Sequence, residues 1–316
     1  METLLAKSSR AVKNVAEQKK RYLYGRILWN KRLVGIKGAR GTGKSTMLLQ
    51  KLQELKLPDN EASYWSLDDL YFLEHSLAAT AEQFYNAGGR MLFLDEVHKY
   101  PDWSRHIKNL YDQYKDLQIV FTGSSIIDLT RQEADLSRRA LMYSLAGMSY
   151  REYLYFHQDL YFEPLSLSDI TANNTAWQKH FPNNFRPLQY FSSYLQSGYY
   201  PFSLEDQEGF LTRMQQTIRI IVEYDMAALQ DFDIRNAQKM LQLLYILSAN
   251  VPFKPNISEL ARKSNIHRNT ITGYLYFLEQ AQLIRQIKEL PNSFVVAEDW
   301  DYPVTVLPLW VFGMLY

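Results

Sequence analysis

Gly38-Ala39-Arg40-Gly41-Thr42-Gly43-Lys44-Ser45 decides how the rest of the chain is read. It fits the pattern G-x-x-x-x-G-K-[ST] at every position. Ahead of it, Arg32-Leu33-Val34-Gly35-Ile36 reads as a short buried strand. Behind it, Thr46-Met47-Leu48-Leu49-Gln50-Lys51-Leu52 reads as the opening of a helix. Strand, glycine-rich loop and helix are the context the pattern needs. Glycines let the backbone curl so that successive N–H groups converge, and the helix N-terminus adds its dipole, which together cradle phosphate. Gly38, Arg40, Gly41, Thr42, Gly43, Lys44, Ser45 and Thr46 are therefore the candidate nucleotide-binding residues. Among them, Lys44 is expected to reach the β- and γ-phosphates, and the Ser45 hydroxyl to ligate Mg²⁺.

A second signal lies downstream. Met91-Leu92-Phe93-Leu94-Asp95-Glu96 is an apolar run closed by two carboxylates. A buried strand that delivers Asp and then Glu at its C-terminal end suits the metal side of a nucleoside-triphosphate site. Asp95 is the candidate metal ligand beside Ser45, directly or through water. Glu96 is the candidate that orients or deprotonates the attacking water.

The interval between the two motifs is informative. It holds a helix, the strand Ala62-Ser63-Tyr64-Trp65-Ser66-Leu67, and a helical stretch from about Leu70 to Tyr85 that breaks at Gly88-Gly89. One strand is thus inserted between the two that carry motifs, as in P-loop ATPases with a separate catalytic glutamate. No Asn-Lys-x-Asp motif for reading guanine occurs. ATP is favoured over GTP.

Leu117-Gln118-Ile119-Val120-Phe121-Thr122-Gly123-Ser124-Ser125 reads as a fourth strand ending in hydroxyls. Thr122, Ser124 and Ser125 are candidates to contact the γ-phosphate or the lytic water, with Ser124 preferred. Arg138 and Arg139 precede a fifth strand, Leu141–Leu145. Either could serve as an arginine finger, in cis or from a neighbouring subunit, and either could equally be a solvated surface cation.

Composition sets the bounds. At 316 residues the chain is long enough for two or three domains with real cores. Net charge is +1, so nucleic-acid contact would need a local basic patch. With zero cysteines, a disulfide framework, a thiolate zinc site and a cysteine nucleophile are excluded, which fits a cytoplasmic protein. The N-terminus lacks a signal peptide's apolar core, and no apolar run reaches membrane-spanning length.

The motifs together resemble a family. Gly-Ala-Arg-Gly-Thr-Gly-Lys-Ser at 38–45, Phe-Leu-Asp-Glu-Val-His-Lys at 93–99, Thr-Gly-Ser-Ser at 122–125, Leu-Ser-Arg-Arg at 136–139 and Ser-Tyr-Arg-Glu-Tyr-Leu at 149–154 look like the marks of prokaryotic AAA-type ATPases (AAA+ superfamily). In that family a winged helix and usually a restriction-endonuclease-like domain follow the ATPase domain. The resemblance covers residues from about 20 to 285. It implies an α/β P-loop NTPase fold, with a five-stranded parallel sheet in order 5-1-4-3-2 flanked by helices. It also implies ATP and Mg²⁺ as cofactors, ATP hydrolysis, and assembly into a homo-oligomer.

On this reading residues 1–155 form the ATPase domain with an N-terminal helix over about 4–30. Residues 156–230 form a helical connector or lid, and 231–300 a winged-helix domain. Within the last, Ile257–Glu279 has the pattern of a helix-turn-helix. Ile266, Ile271, Leu275 and Leu278 supply its apolar stripe. His267, Arg268, Asn269, Thr272 and Tyr276 are expected to face outward, where they could reach DNA phosphates or base edges. Glu259 and Glu279 dilute that basic face, and a winged helix can also serve as a lid or dock a protein partner. Asn292–Ala297 is a candidate wing strand. The apolar segment 301–316 matches no module of the family, and its expected meaning is a shortened member.

Three functions follow from the residues. One is an ATPase that couples nucleotide state to the winged helix. The others are a DNA-binding regulator and a protein-interaction scaffold, each binding ATP with little turnover.

Overall fold

Alternate residues of the strands send apolar side chains to both faces of a single sheet. The computed structural model describes residues 1–15, 19–123, 136, 138–171, 182, 185–226, 236–249, 257–288 and 304–308. Helix α1 (Glu2–Lys13) precedes strand β1 (Leu33–Lys37), helix α2 (Lys44–Leu55) and strand β2 (Ala62–Ser66). Helices α3 (Tyr71–Glu74) and α4 (Leu77–Asn86), strand β3 (Met91–Asp95) and helix α5 (Trp103–Gln113) come next. Strands β4 (Gln118–Gly123) and β5 (Leu141–Ser144) complete a parallel sheet in order β2-β3-β4-β1-β5. This is the expected 5-1-4-3-2 order, counted from the opposite edge.

One face carries Leu33, Leu92, Leu94, Ile119 and Phe121, covered by Leu77, Ala81 and Phe84 of α4 and by Trp103, Ile107 and Leu110 of α5. The other carries Val34, Ile36, Phe93 and Val120, covered by Met47, Leu48 and Leu52 of α2. Burial on both faces explains why these strands read as continuous apolar runs rather than as alternating ones. At the outer edge, the backbone N–H of Tyr64 on β2 donates to the Ser8 hydroxyl of α1 at 2.9 Å, which satisfies part of an otherwise open strand edge.

Two helices differ from their sequence expectation. The N-terminal helix stops at Lys13 rather than near residue 30. Residues 19–22 are instead drawn into tertiary contacts: Lys19 donates to the Phe156 carbonyl, and Arg21 and Tyr22 bond Glu152. Such contacts override helix propensity. The stretch from Leu70 to Tyr85 is two helices, because the Ser76 hydroxyl accepts from Ala79 N–H at 3.1 Å and caps a new helix start.

The second half builds its own core. Helix α6 (Tyr150–Gln158) is followed by α7 (Phe210–Ile220), α8 (Ala237–Ser248), α9 (Ile257–Ser264) and α10 (Arg268–Gln280). Met214, Ile218, Met240, Leu243, Leu247, Leu260, Ile271, Leu275 and Leu278 pack together, with Tyr200 and Phe210 among them. Between α9 and α10, Asn265 takes a positive φ of 53°, a conformation asparagine tolerates better than most residues. Strands β6 (Ile284–Lys288) and β7 (Val304–Pro308) then pair antiparallel. Within the apolar segment 301–316, residues 304–308 thus form a strand. Three consecutive β-branched residues, Val304-Thr305-Val306, favour a strand, and Pro308 sits at its end, where a missing N–H is tolerated. The expected wing strand at 292–297, and Trp310 and Phe312, lie outside the described residues. Among the described residues, no helix is long and apolar enough to cross a membrane.

Candidate functional site

The phosphate loop runs from the end of β1 into α2, and its glycines do different work. Gly41 and Gly43 have φ of 81° and 92°, which only glycine adopts at little cost, and they curl the loop before Lys44 opens the helix. Gly38 is needed for closeness rather than for φ. A Cβ there would lie 2.3 Å from the Leu145 carbonyl oxygen, a backbone atom that cannot swing aside.

Inside the loop, the Thr42 hydroxyl donates to the Ala39 carbonyl at 2.8 Å. Lys44, 4% exposed, donates to the carbonyls of Gly38 at 2.9 Å and Ala39 at 2.8 Å. Its ammonium is thus held against the loop rather than in solvent. Arg40 and Ser45 are half-buried, and Thr46 is exposed on the first turn of α2.

Asp95 ends β3, 3% exposed. Its two oxygens accept from different hydroxyls, Oδ1 from Thr122 and Oδ2 from Tyr64, the latter at 2.6 Å. Burial, and then the Asp95 carboxylate itself, push the Tyr64 hydroxyl pKa upward, so Tyr64 stays protonated as a donor. Glu96 follows with φ of 52°, and its N–H donates to Thr122 Oγ1 at 3.4 Å. Its carboxylate lies 3.5 Å from His98 Nε2. A non-glycine residue in the left-handed region costs energy, and such strain concentrates at functional sites.

Register assembles these pieces. Ile36 of β1 pairs with Thr122 of β4, and Leu94 of β3 pairs with Phe121. The loop after β1, Thr122 and the Asp95–Glu96 pair therefore share the C-terminal edge of adjacent strands, where open α/β sheets bind ligands. Thr122 is fully buried and bridges to both acidic residues. Ser124, the preferred hydroxyl of the sequence reading, lies outside the described residues, as does Ser125.

The two arginines separate. Arg139 makes a two-pronged pair with Asp112 of α5, both contacts at 3.0 Å, whereas Arg138 is exposed. Partial exposure of the Arg139–Asp112 pair limits its worth to stability. On α10 and the turn that leads into it, His267, Arg268, Asn269, Thr272 and Tyr276 are all exposed, while Ile266, Ile271, Leu275 and Leu278 are buried, matching the expected faces. These five lie on a different element from the phosphate loop.

Several residues at the site were not singled out in sequence. Tyr64 is one. Arg21 is another: it donates to the Thr42 carbonyl of the loop and to Glu152. Glu152 had a local signal, since Ser149-x-x-Glu152 spells a capping box and the structure forms one. The segment Tyr200-Pro201-Phe202 covers the loop: a Cβ on Gly41 would lie 3.0 Å from the Phe202 ring, and one on Gly43 3.8 Å from Pro201. From beyond α10, the Gln282 side-chain carbonyl accepts the N–H of Ala39 at 3.2 Å.

Comparison with known proteins agrees with this geometry. Residues 188–295 match a domain of unknown function, DUF8612. An uncharacterized protein of Methanocaldococcus jannaschii is 30% identical over 270 residues, which are 81% of this chain and 57% of that protein. This chain thus spans little more than half of that relative. Among solved structures, replication initiator DnaA bound to AMPPCP and single-stranded DNA is 14% identical, covering 87% of this chain and 86% of its own, with a TM-score of 0.38. The S. cerevisiae Hsp104–ADP complex is 14% identical over 89% of this chain and 39% of its own, with a TM-score of 0.32. At those TM-scores neither likeness bears on what this chain does. Residues 30–154 match the family described as an AAA domain, and with the sheet order and phosphate loop this places that part of the chain among AAA-type P-loop domains.

Proposed function

We propose that residues 30–154 bind ATP with Mg²⁺ and hydrolyse it. The observation that carries this reading is the Thr122 hydroxyl on β4, the strand beside the one that feeds the phosphate loop, which bonds the Asp95 carboxylate and the Glu96 N–H at the end of β3.

The donor set fits the metal. Ser45 and Asp95 offer oxygen atoms only, which suits a hard cation that completes its shell with phosphate and water. When bound, Mg²⁺ would neutralise charge building on the phosphate oxygens. Ser45 and Asp95 would hold it. Gly41 and Gly43 curve the backbone so that the N–H groups of the loop face phosphate. Lys44 would exchange its loop carbonyls for β- and γ-phosphate oxygens. Glu96 would take the proton from the attacking water, and Ser124, the hydroxyl preferred in sequence, would contact the γ-phosphate. Arg138 is better placed than Arg139 to act as a finger toward a second copy, because Arg139 is already engaged by Asp112.

Nucleotide state would pass to the helix-turn-helix, read as part of a winged helix, through the segment 200–202 over Gly41 and through Gln282 on Ala39. The testing experiment is phosphate release from ATP by the purified chain. Release is expected with Mg²⁺ and is expected to stop on chelation with EDTA. No release at any protein concentration would overturn hydrolysis, and release indifferent to EDTA would overturn the role of Mg²⁺.

A second reading adds DNA. It rests on the shared exposure of His267, Arg268, Asn269, Thr272 and Tyr276 on α10. The expected result is a duplex-DNA mobility shift that weakens with salt and drops with Arg268→Ala. A shift unchanged by that substitution removes α10 from the interface and leaves protein docking as the use of this face.

A further inference from the structure

Arg21 lies ahead of β1, in a segment with no recognisable motif, yet it is 6% exposed and fully engaged. Its Nε donates to Glu152 Oε1 at 2.8 Å, and Nη2 donates to the Ala146 carbonyl at 2.8 Å. Its Nη1 donates to the Thr42 carbonyl, inside the phosphate loop. Glu152, 5% exposed, also accepts the N–H groups of Tyr22 and Ser149, each at 2.9 Å, and the Ser149 hydroxyl at 3.0 Å. Burial pushes the Glu152 pKa up, but Arg21 and these donors more than offset it and hold the carboxylate ionised.

A buried guanidinium with a saturated carboxylate is an expensive device. Replacing such a pair by apolar side chains is often neutral or stabilising, so its presence calls for a task beyond holding the fold. The third donor supplies one. In a planar trans peptide the C=O and the following N–H point in opposite directions. Turning the Thr42 carbonyl toward Arg21 therefore turns the Gly43 N–H away from Arg21. Gly43, with φ of 92°, has the conformational freedom to let that peptide rotate if nothing holds it.

We propose that Arg21 is the positioning residue of the phosphate loop: held by Glu152, it fixes the Thr42–Gly43 peptide so that the Gly43 N–H is preset for a phosphate oxygen. This deepens the ATP-binding reading and rests on it for the identity of the anion. Lysine cannot replace Arg21 here, since a single ammonium cannot serve the fork of Glu152, the Ala146 carbonyl and the Thr42 carbonyl together.

The test uses the full chain with Arg21→Lys and, as the milder change, Glu152→Gln. The Gly43 amide resonance and its hydrogen exchange are followed by NMR without nucleotide, with Val120 on the buried strand β4 as reference. MgATP and adenosine affinities are then compared. Both variants are expected to shift the Gly43 amide and speed its exchange while Val120 stays put. They are expected to weaken MgATP binding by about 10–100-fold, the scale of one charge-assisted hydrogen bond, without weakening adenosine. If Arg21→Lys fails to fold, Glu152→Gln alone decides. A Gly43 amide unchanged in a folded variant overturns the inference, as does equal weakening of MgATP and adenosine, the signature of a merely structural pair. A wild-type chain that binds no MgATP, with a Gly43 amide that still moves in the variants, would instead count against the nucleotide reading and leave the positioning intact.

Discussion

Replacing Glu96 with glutamine is expected to lower kcat for ATP hydrolysis by about 10²–10⁴-fold, the usual contribution of a general base, with little change in MgATP affinity. The two carboxylates at the end of β3 stand in different surroundings. Asp95 is 3% exposed, and each of its oxygens accepts a hydroxyl, an arrangement that fixes a ligand in place. Glu96 retains 21% exposure of its side chain, so water can reach it. Its left-handed backbone turns it out of the strand line at the point where the sheet ends. Glutamine keeps the size and most hydrogen bonds of Glu96 but cannot accept a proton. Loss of turnover with retained binding therefore isolates the proton transfer. Unchanged kcat in Glu96→Gln would transfer the role to another residue and remove Glu96 from the mechanism.

Lys44→Ala is expected to weaken MgATP binding by about a hundredfold or more, because charge-assisted hydrogen bonds contribute about 1.5–3 kcal/mol each and Lys44 would make more than one to the phosphates. The same change strips two donors from the loop, at the Gly38 and Ala39 carbonyls. Those carbonyls can turn to water once the side chain is gone, but the loop is expected to loosen as well. Denaturant titration separates the two effects. A shift in midpoint reports on the loop, whereas the ratio of MgATP to adenosine affinity reports on phosphate recognition. An unchanged ratio would mean that Lys44 serves the loop alone.

Much of the site was readable in sequence because its parts are local. The phosphate loop needs particular residue types at fixed spacing, and Asp95–Glu96 closes an apolar run long enough to be a buried strand. Counting elements between those motifs gave the inserted strand, and the family resemblance implied the sheet order that the structure shows. The faces of α10 were readable for the same reason, since burial alternates with helical period.

What escaped depends on distance along the chain. Arg21 and Glu152 are 131 residues apart, and Arg21 acts on a carbonyl, which leaves no signature in residue type. Tyr64 looked like any aromatic strand residue until its hydroxyl met Asp95 across the neighbouring strand. The contact of Tyr200-Pro201-Phe202 with Gly41 could not be read in sequence, because no residue type marks where a distant segment docks. Helix ends failed in the expected way: α1 stops at Lys13 because residues 19–22 are used for tertiary contacts, and propensity does not register those.

Calorimetric titration of MgATP into the wild-type chain and into Lys44→Ala tests the central claim most directly. The account predicts saturable binding at one site per chain, abolished or weakened at least a hundredfold by the substitution. No heat of binding to the folded wild-type chain, or equal affinity in both proteins, would contradict it.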